Sequence, residues 1–209
     1  MKVFLSAGHG GTDSGATANG LVEKVVNLNI LLACKDVLER SGVTVICSRT
    51  KDENDPVKEE VNEANKSNAD IAVSFHNNAG GGDGFEAFYY STSKEGKKLA
   101  GICEKYIKQL GQNSRGIKTG NHLAFVKNTK MTAVLLETFF LDNTNDLKIA
   151  DTVDEQIKIG KAYANAILEY LNIIPFTETF DYDEIGRQFV KCWNDIENLD
   201  SYKKLMELL

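Results

Sequence analysis

The first part of the chain alternates short apolar runs with stretches that repeat at helical spacing. An apolar run at residues 2–7 predicts a buried strand, and after a glycine-rich loop the pattern predicts a helix from about Val22 to Arg40. Ser41 and Gly42 then supply a helix stop. The apolar residues Leu21, Val25, Leu28 and Leu32 keep the helical spacing on which this prediction rests.

The same alternation continues along the chain. Val43 to Ser48 is predicted to form a second strand, and Asp55 is predicted to cap a short helix that starts with Pro56 and ends near Ser67. The run DIAVSF is apolar throughout, which predicts a strand buried on both faces of a parallel sheet. Further strands are predicted in FEAFYY, LAFV and TAVLLE, and further helices at about residues 94–111 and 154–172.

Strands separated by helices on this scale predict an α/β fold, namely a three-layer sandwich with a mostly parallel sheet flanked by helices. One domain is predicted over residues 1–173, followed by a linker and a small C-terminal helical tail at residues 174–209. The tail is expected to pack on the domain or on a second copy of the chain, because its apolar residues share a stripe. The stripe comprises Ile185, Phe189, Trp193 and Ile196, followed by Leu199, Tyr202, Leu205, Met206 and Leu209.

Composition and charge narrow the classes of function. The 209 residues carry a formal net charge of −6, and no basic run is interleaved with aromatic residues, which argues against nucleic acid as a partner. Neither disulfides nor a cysteine metal site is expected, because no CxxC pattern joins the widely spaced Cys34, Cys47, Cys103 and Cys192. No apolar stretch approaches the roughly 20 residues that span a bilayer. The opening MKVFLSAGHGG lacks the features of a secretory signal, so the protein is expected to be made in the cytoplasm.

Four residues with metal-ligating or catalytic side chains are predicted to meet at one edge of the sheet. His9 follows the first strand, His76 ends the third, Glu137 ends TAVLLE, and Glu23 opens the first long helix. Ligands of open α/β sheets bind beyond the carboxyl ends of the strands. Two histidines and one carboxylate with an open fourth position form a common catalytic zinc set. The spacing alone leaves another interpretation open, in which the histidines are structural and Glu23 complements the helix dipole.

Two glycine-rich loops suggest further hypotheses about ligand binding. The loop GHGGTDSGATANG suggests a phosphate cradle, but it matches neither GxGxxG nor GxxxxGK[ST], which disfavours nucleotide binding. The loop at residues 77–84 predicts either a flexible rim that admits a bulky polymer or a wide turn into the next strand.

Three segments resemble the zinc-dependent N-acetylmuramoyl-L-alanine amidases, which occur as bacterial autolysins and as the catalytic part of phage endolysins. The segments are LSAGHGGTDSGA with LVEKVVNLN, then EANKSNADIAVSFHNNAGGGDGFEAFYY, and finally RGIKTGNHLAFVKNTKMTAVLLETFFLDNTND. They occur in the family's order and cover about Lys2 to Asn172. The resemblance implies a hydrolase that uses one zinc ion per domain. Its substrate would be peptidoglycan, cut between the MurNAc lactyl group and the L-alanine of the stem peptide.

The resemblance also assigns roles to individual residues. It makes His9, Glu23 and His76 the zinc ligands, and it makes Glu137 the carboxylate that moves protons during catalysis. Further candidates for contacts with the substrate or with the ligand histidines are Asn27, Asn65, Asn77 and His122.

The chain departs from the family's pattern at three places. Ser6-Ala7 stands where the family typically carries Asp-Pro, Glu60 where an arginine is common, and Phe139-Phe140 where a Gly-Phe pair is usual. These departures leave the four proposed site residues intact and concern the shape of the substrate cleft.

The sequence leaves two other functions open. A non-catalytic module that binds muropeptides would share the fold, although it would not require all four site residues. A zinc peptidase of related architecture would cut a different peptidoglycan amide. The setting also stays open between a phage endolysin and a host autolysin, each acting on the cell wall after release from the cytoplasm.

Overall fold

A six-stranded sheet forms the centre of the computed structural model, which describes residues 1–176. Its strands are β1 (Lys2–Ala7), β4 (Thr44–Cys47), β5 (Ile71–Asn78), β6 (Phe85–Tyr89), β7 (Ser114–Thr119) and β8 (Thr132–Phe140). A separate small hairpin consists of β2 (Thr17–Ala18) and β3 (Leu21–Val22). The strand order in the sheet is β4-β1-β5-β8-β6-β7. The first four strands in this order are parallel, whereas β6 runs antiparallel to β8 and parallel to β7, so the prediction of a mostly parallel sheet is confirmed.

Helices cover both faces of this sheet. Within residues 1–176 they are α1 (Glu23–Arg40), α2 (Val57–Ser67), α3 (Lys94–Gln109), α4 (Ala124–Asn128) and α5 (Val153–Leu171), with a 3₁₀ turn at Asp146–Ile149. The larger core joins α1, α3 and α5 to one face of the sheet, and the smaller core joins α2 and α4 to the other. The prediction of a three-layer α/β sandwich is therefore confirmed.

Alternating side chains on the central strands supply the two cores. On β1, Val3 and Leu5 belong to the larger core, whereas Phe4 belongs to the smaller core under α2 and α4. On β5, residues 71–75 are all buried, which confirms the prediction that this apolar run is covered on both faces. The helices α2 and α4 lie over β1, β5 and β8.

The structure confirms the predicted helix as α1, but the spaced apolar residues that indicated it do not form its buried face. Val25 and Leu32 are 47% and 38% exposed, and the buried apolar face of the helix consists of Val26, Ile30, Leu31, Cys34 and Leu38. Apolar residues occur on almost every side of this helix, so helical spacing fits two different faces equally well. Packing against the sheet and α5 selects the face that also carries Glu23 and Asn27.

Three local predictions are also corrected. The segment LAFV lies in and just before helix α4 and does not form a strand. Asp55 does not cap α2, because Pro56 occupies the cap position and no side-chain cap bond forms. The strand β7 was not predicted, since an edge strand with the sequence SRGIKT is only partly buried and lacks an apolar run.

The predicted tail at residues 174–209 falls almost entirely outside the described residues, so its apolar stripe, its docking and the domain boundary at residue 173 stay predictions. Cys34, Cys47 and Cys103 are free thiols, whereas Cys192 lies outside the described part. No helix among the described residues is long and apolar enough to span a bilayer.

We expect Gly160→Ala to destabilise the fold, because α5 approaches α1 closely at this glycine. An added Cβ would lie 2.4 Å from the Ile30 carbonyl oxygen and 2.7 Å from the Ala33 Cβ. Such overpacking typically lowers the free energy of unfolding by about 1–3 kcal/mol, which urea denaturation would measure. Gly101→Ala in α3 is the matched control, since its Cβ would meet nothing within 4 Å. It should raise stability by up to about 1 kcal/mol, and equal effects of both substitutions would contradict the close approach.

Candidate active site

The carboxyl edge of the sheet brings three potential metal ligands together. His9 lies in the loop after β1, Glu23 is the first residue of α1, and His76 lies near the end of β5. One potential ligand atom from each residue lies within 4.8 Å of the other two. The predicted elements therefore place their polar end residues around a common point.

The Glu23 carboxylate is the centre of this cluster. Its Oε1 lies 3.2 Å from His9 Nε2 and 3.2 Å from His76 Nδ1. The same oxygen accepts a hydrogen bond of 3.1 Å from the Asn77 backbone N–H, and Oε2 accepts one of 2.8 Å from Ala16. The residue is only 4% exposed, so these partners hold a carboxylate that would otherwise be costly to bury.

A second carboxylate orients His9 from behind. Asp13 Oδ2 lies 2.8 Å from His9 Nδ1, which leaves Nε2 directed towards Glu23. Such a carboxylate fixes the orientation of a ligand imidazole and raises its basicity. Asp13 is held in turn by the Gly15 backbone N–H, which donates to Oδ1 at 3.0 Å. Asp13 was not among the residues predicted from the sequence.

Two glycines give the cluster the space it needs. A Cβ on Gly15, which has a φ of +62°, would lie 2.5 Å from Glu23 Oε2 and 2.6 Å from His9 Cδ2. A Cβ on Gly8 would lie 2.1 Å from the His76 ring. The glycine-rich loop therefore encloses side chains of the cluster, which explains why it matches no phosphate-binding pattern.

The buried guanidinium of Arg49 ties the loop to the start of α1. Its Nε donates to the Ala7 carbonyl at 2.9 Å, and its Nη2 donates to the Lys24 carbonyl at 2.7 Å. The residue is 2% exposed. Because these carbonyls lie two residues before His9 and one residue after Glu23, Arg49 ties together the two segments that carry these side chains.

Hydrogen bonding within the cluster shifts two pKa values in the metal-free protein. The hydrogen bond with Glu23 raises the pKa of His9 to about 9. Although burial opposes it, hydrogen bonds from His76 and His9 lower the pKa of Glu23 well below its usual range. These shifts favour the ionised form of the Glu23 carboxylate, which is the form that binds a cation.

Glu137 stands beside the cluster without a partner of its own. It is the register partner of His76 in the parallel pair of β5 and β8. Its Oε2 is buried and has no hydrogen-bond partner among the described residues. Burial raises the pKa of this carboxyl to about 7, the range in which a side chain both accepts and donates a proton near neutral pH.

A cleft of about 360 Å³ opens onto the cluster between the sheet edge and the helices α2 and α4. Its wall includes His122, whose ring makes an edge contact with Phe88 at a centroid distance of 6.1 Å. The other polar residues of the wall are His9, Asp13, Asp55, Glu60 and His76.

Of the other residues predicted to contact the substrate or the histidines, two lie at the site and one lies elsewhere. Asn27 and Asn77 are buried behind the cluster, where Asn77 Nδ2 donates to Asn27 Oδ1 at 2.7 Å and Asn27 Nδ2 donates to the Gly8 carbonyl at 2.9 Å. They therefore support the cluster from behind. Asn65 is not brought to the cluster, because its amide bonds the backbone at Asn128 and Lys130.

The loop at residues 77–84 is held by side chains that follow β8. The backbone N–H of Gly80 donates to Asp142 at 2.8 Å, and that of Gly84 donates to Asp146 at 2.9 Å. These bonds favour the interpretation of this loop as a wide turn over that of a flexible rim.

Comparisons with known proteins show the family to which the chain belongs. A family profile described as N-acetylmuramoyl-L-alanine amidase matches residues 3–169. The chain belongs to this amidase family. It is 37% identical over 177 residues to the N-acetylmuramoyl-L-alanine amidase CwlM of Bacillus licheniformis, a match that covers 83% of this chain and 70% of the relative. It is also 37% identical over 180 residues to the endolysin of Bacillus phage SPP1, covering 82% and 66% respectively.

A solved amidase shares the fold. The catalytic domain of CwlV, from Bacillus (Paenibacillus) polymyxa var. colistinus, is 31% identical, with a TM-score of 0.76 over 83% of this chain and 99% of that domain. The family resemblance inferred from the sequence motifs is therefore confirmed.

Two of the departures from the family's pattern contact each other in the structure. Ser6 Oγ donates to Glu60 Oε2 at 2.7 Å, and both residues are buried. Because Glu60 also lines the cleft, the two departures form one local change in the cleft wall.

We expect Glu137→Gln to stabilise the metal-free protein at pH 8 but not at pH 4.5. Burial raises the folded-state pKa of Glu137 from 4.5 to about 7. The stability associated with the protonated carboxyl is therefore fully present below about pH 4.5 and is lost as the pH rises through 7. At roughly 1.4 kcal/mol per pKa unit, the advantage of glutamine should reach about 3 kcal/mol at most. Urea denaturation across this range, with Glu59→Gln on the exposed face of α2 as control, would show it, and a difference independent of pH would contradict it.

Proposed function

We propose that this chain is a zinc-dependent N-acetylmuramoyl-L-alanine amidase that hydrolyses the amide between the MurNAc lactyl group and the L-alanine of the peptidoglycan stem peptide. One observation carries the proposal: the cluster of His9, Glu23 and His76 lies beside the unpartnered carboxylate of Glu137, in a chain of the amidase family. The family match supports the substrate, and the cluster supports the metal.

The donor set fits a zinc ion. Zinc in catalytic sites commonly takes two imidazole nitrogens and one carboxylate oxygen at about 2.0–2.2 Å, which leaves neighbouring donor atoms of a tetrahedron roughly 3.3 Å apart. His9 Nε2 and His76 Nδ1 each lie 3.2 Å from Glu23 Oε1. No other group of three or more potential ligands of this kind converges within residues 1–176, which supports one ion per domain.

The protein's own residues transfer the proton and hold the proposed ligands in position. The chemistry that zinc supplies in such a site is Lewis acidity, which polarises a carbonyl and lowers the pKa of a water molecule. Glu137 accepts the proton of the attacking water and passes it to the nitrogen of the departing L-alanine. Its buried, unpartnered Oε2 is free to take that proton without breaking an existing hydrogen bond. Asp13, Asn27 and Asn77 keep the ligands in position.

Digestion of purified peptidoglycan, followed by identification of the new ends, tests the proposal. An amidase frees the amino group of L-alanine and leaves the lactyl carboxyl on MurNAc. Chelation should abolish this release, and added zinc should restore it. New amino termini elsewhere in the stem peptide would identify a zinc peptidase instead. Binding of muropeptides without any new ends would identify a non-catalytic module.

Glutamine substitutions should separate the two carboxylates. Glu137→Gln is expected to keep the zinc and to lose about 10²-fold or more in kcat, because a positioned general base typically contributes 10² to 10⁴. Glu23→Gln should weaken zinc binding, and His9→Ala or His76→Ala should lose metal and activity together. Elemental analysis and muropeptide turnover measure both properties. Release of zinc by Glu137→Gln, with retention by Glu23→Gln, would exchange the two assigned roles.

Asp13→Ala should lower zinc affinity without removing a ligand. The carboxylate contacts His9 Nδ1 at 2.8 Å, and losing such a partner typically costs about 10-fold to 100-fold in metal affinity. Competition with a chromophoric chelator measures the change. Asp36→Ala, which removes an exposed acid from α1, is the control and should leave the affinity unchanged. An affinity equal to that of the unaltered protein would show that Asp13 does not support His9.

A further inference from the structure

A pair of cations lies next to the proposed general base. Glu86 on β6 stands directly opposite Glu137 in the antiparallel pair of β6 and β8. Arg115 Nε and Lys118 Nζ on β7 both contact the same Glu86 oxygen, Oε1, at 2.5 Å and 2.6 Å. Two positive charges therefore share one carboxylate, and these three side chains carry a net charge of +1.

This positive charge contrasts with the acidic side chains that predominate around the site. The chain as a whole carries a net charge of −6, and the other acidic side chains at the site and in the cleft wall are Asp13, Glu23, Asp55, Glu60 and Glu137. The Glu86 carboxylate is only 10% exposed, so one cation would be enough to neutralise it. The second cation at the same oxygen is left available to an external anion.

Both cations keep donors directed towards solvent. The side chains of Arg115 and Lys118 are 44% and 41% exposed. The Arg115 guanidinium lies over the Phe140 ring, with its Cζ 5.2 Å from the centroid, and among the described residues only its Nε pairs with a carboxylate. A guanidinium has five N–H donors in a fixed planar arrangement that matches a carboxylate, so this one is oriented but not saturated.

The spacing of the strands places this cation pair within reach of a bound stem peptide. His76, Glu137 and Glu86 occupy neighbouring positions on the adjacent strands β5, β8 and β6. Adjacent strands lie roughly 4.8 Å apart, and an extended peptide advances roughly 3.4 Å per residue. A group bound by Arg115 and Lys118 therefore lies about two or three residues from an amide held beside Glu137.

The chemistry of the substrate identifies the side from which that group comes. On the glycan side, the lactyl carboxyl of MurNAc is already consumed in the scissile amide. A free carboxylate at this distance must therefore belong to the stem peptide.

We propose that Arg115 and Lys118 form a subsite for a free carboxylate of the stem peptide, two or three residues from the scissile amide. Glu86 holds the two cations in place, and the substrate carboxylate supplies the second negative charge. The subsite makes the chain selective for stem peptides in which this carboxylate is not amidated. This inference rests on the proposed amidase function and specifies its substrate.

Two synthetic muropeptides without phosphate test the subsite. They carry the same stem peptide. Its carboxylate two or three residues from the scissile amide is free in one and converted to a primary amide in the other. The unaltered zinc-loaded protein should cleave the free form with a kcat/KM at least tenfold higher, mainly through a lower KM. The double variant Arg115→Gln/Lys118→Gln should lose this preference, so that its kcat/KM values for the two muropeptides become equal. Arg115→Lys should keep part of the preference, because the charge remains.

The controls separate this inference from the proposed function. Lys105→Gln removes a cation of α3 that pairs with Glu169 of α5 and belongs to neither the site nor the subsite, so it should leave both rates unchanged. Cleavage of neither muropeptide by the unaltered protein would overturn the amidase function itself. Equal cleavage of both would overturn the subsite alone, as would a preference that survives in the double variant. A preference for glycan phosphate groups in otherwise identical muropeptides, lost in the double variant, would assign the cations to a phosphate and also overturn the proposal.

Discussion

Glu23 places a carboxylate in the protein interior, between two imidazole rings and two backbone amides. A buried charge of this kind is stable only where all its partners are in position. Much of the surrounding structure can be understood from this requirement. Gly8 and Gly15 leave room for the rings, Arg49 joins the two segments that carry His9 and Glu23, and Asp13 turns His9 towards the carboxylate.

The fold provides this geometry because three parallel strands and the start of α1 share one edge of the sheet. The helices α2 and α4 lie over β1, β5 and β8, whereas β6 and β7 contribute charged side chains beyond Glu137. In the proposed function, an elongated substrate lies across the ends of the strands, with the proposed metal ligands at one position and the cation pair farther along. The proposed mechanism uses two buried carboxylates whose pKa values are shifted in opposite directions. Glu23 stays ionised through its partners, whereas burial without such partners raises the pKa of Glu137 to about 7, so that this carboxylate can accept a proton from water and donate it again.

The sequence predicted the parts of this arrangement that depend on strong local patterns. Apolar runs identified β1, β5 and β8, and the polar residues at their ends indicated His9, His76 and Glu137. The buried face of α1 could not be predicted from the sequence, because apolar residues surround that helix and only tertiary packing selects its inner face. Asp13 and Arg49 were missed because their roles consist of single hydrogen bonds across loops, which leave no periodic signal. Glu86 and its cations depend on the register between β6, β7 and β8, and β7 itself lacks an apolar run.

The central claim is that His9, Glu23 and His76 hold one catalytic zinc ion while Glu137 remains outside its coordination shell. The most direct measurement is a crystal structure of the zinc-loaded protein with anomalous difference maps on both sides of the zinc absorption edge. One peak is expected within residues 1–173, about 2.0–2.2 Å from His9 Nε2, His76 Nδ1 and a Glu23 oxygen. A peak coordinated by Glu137, or zinc bound only away from these three residues, would contradict it.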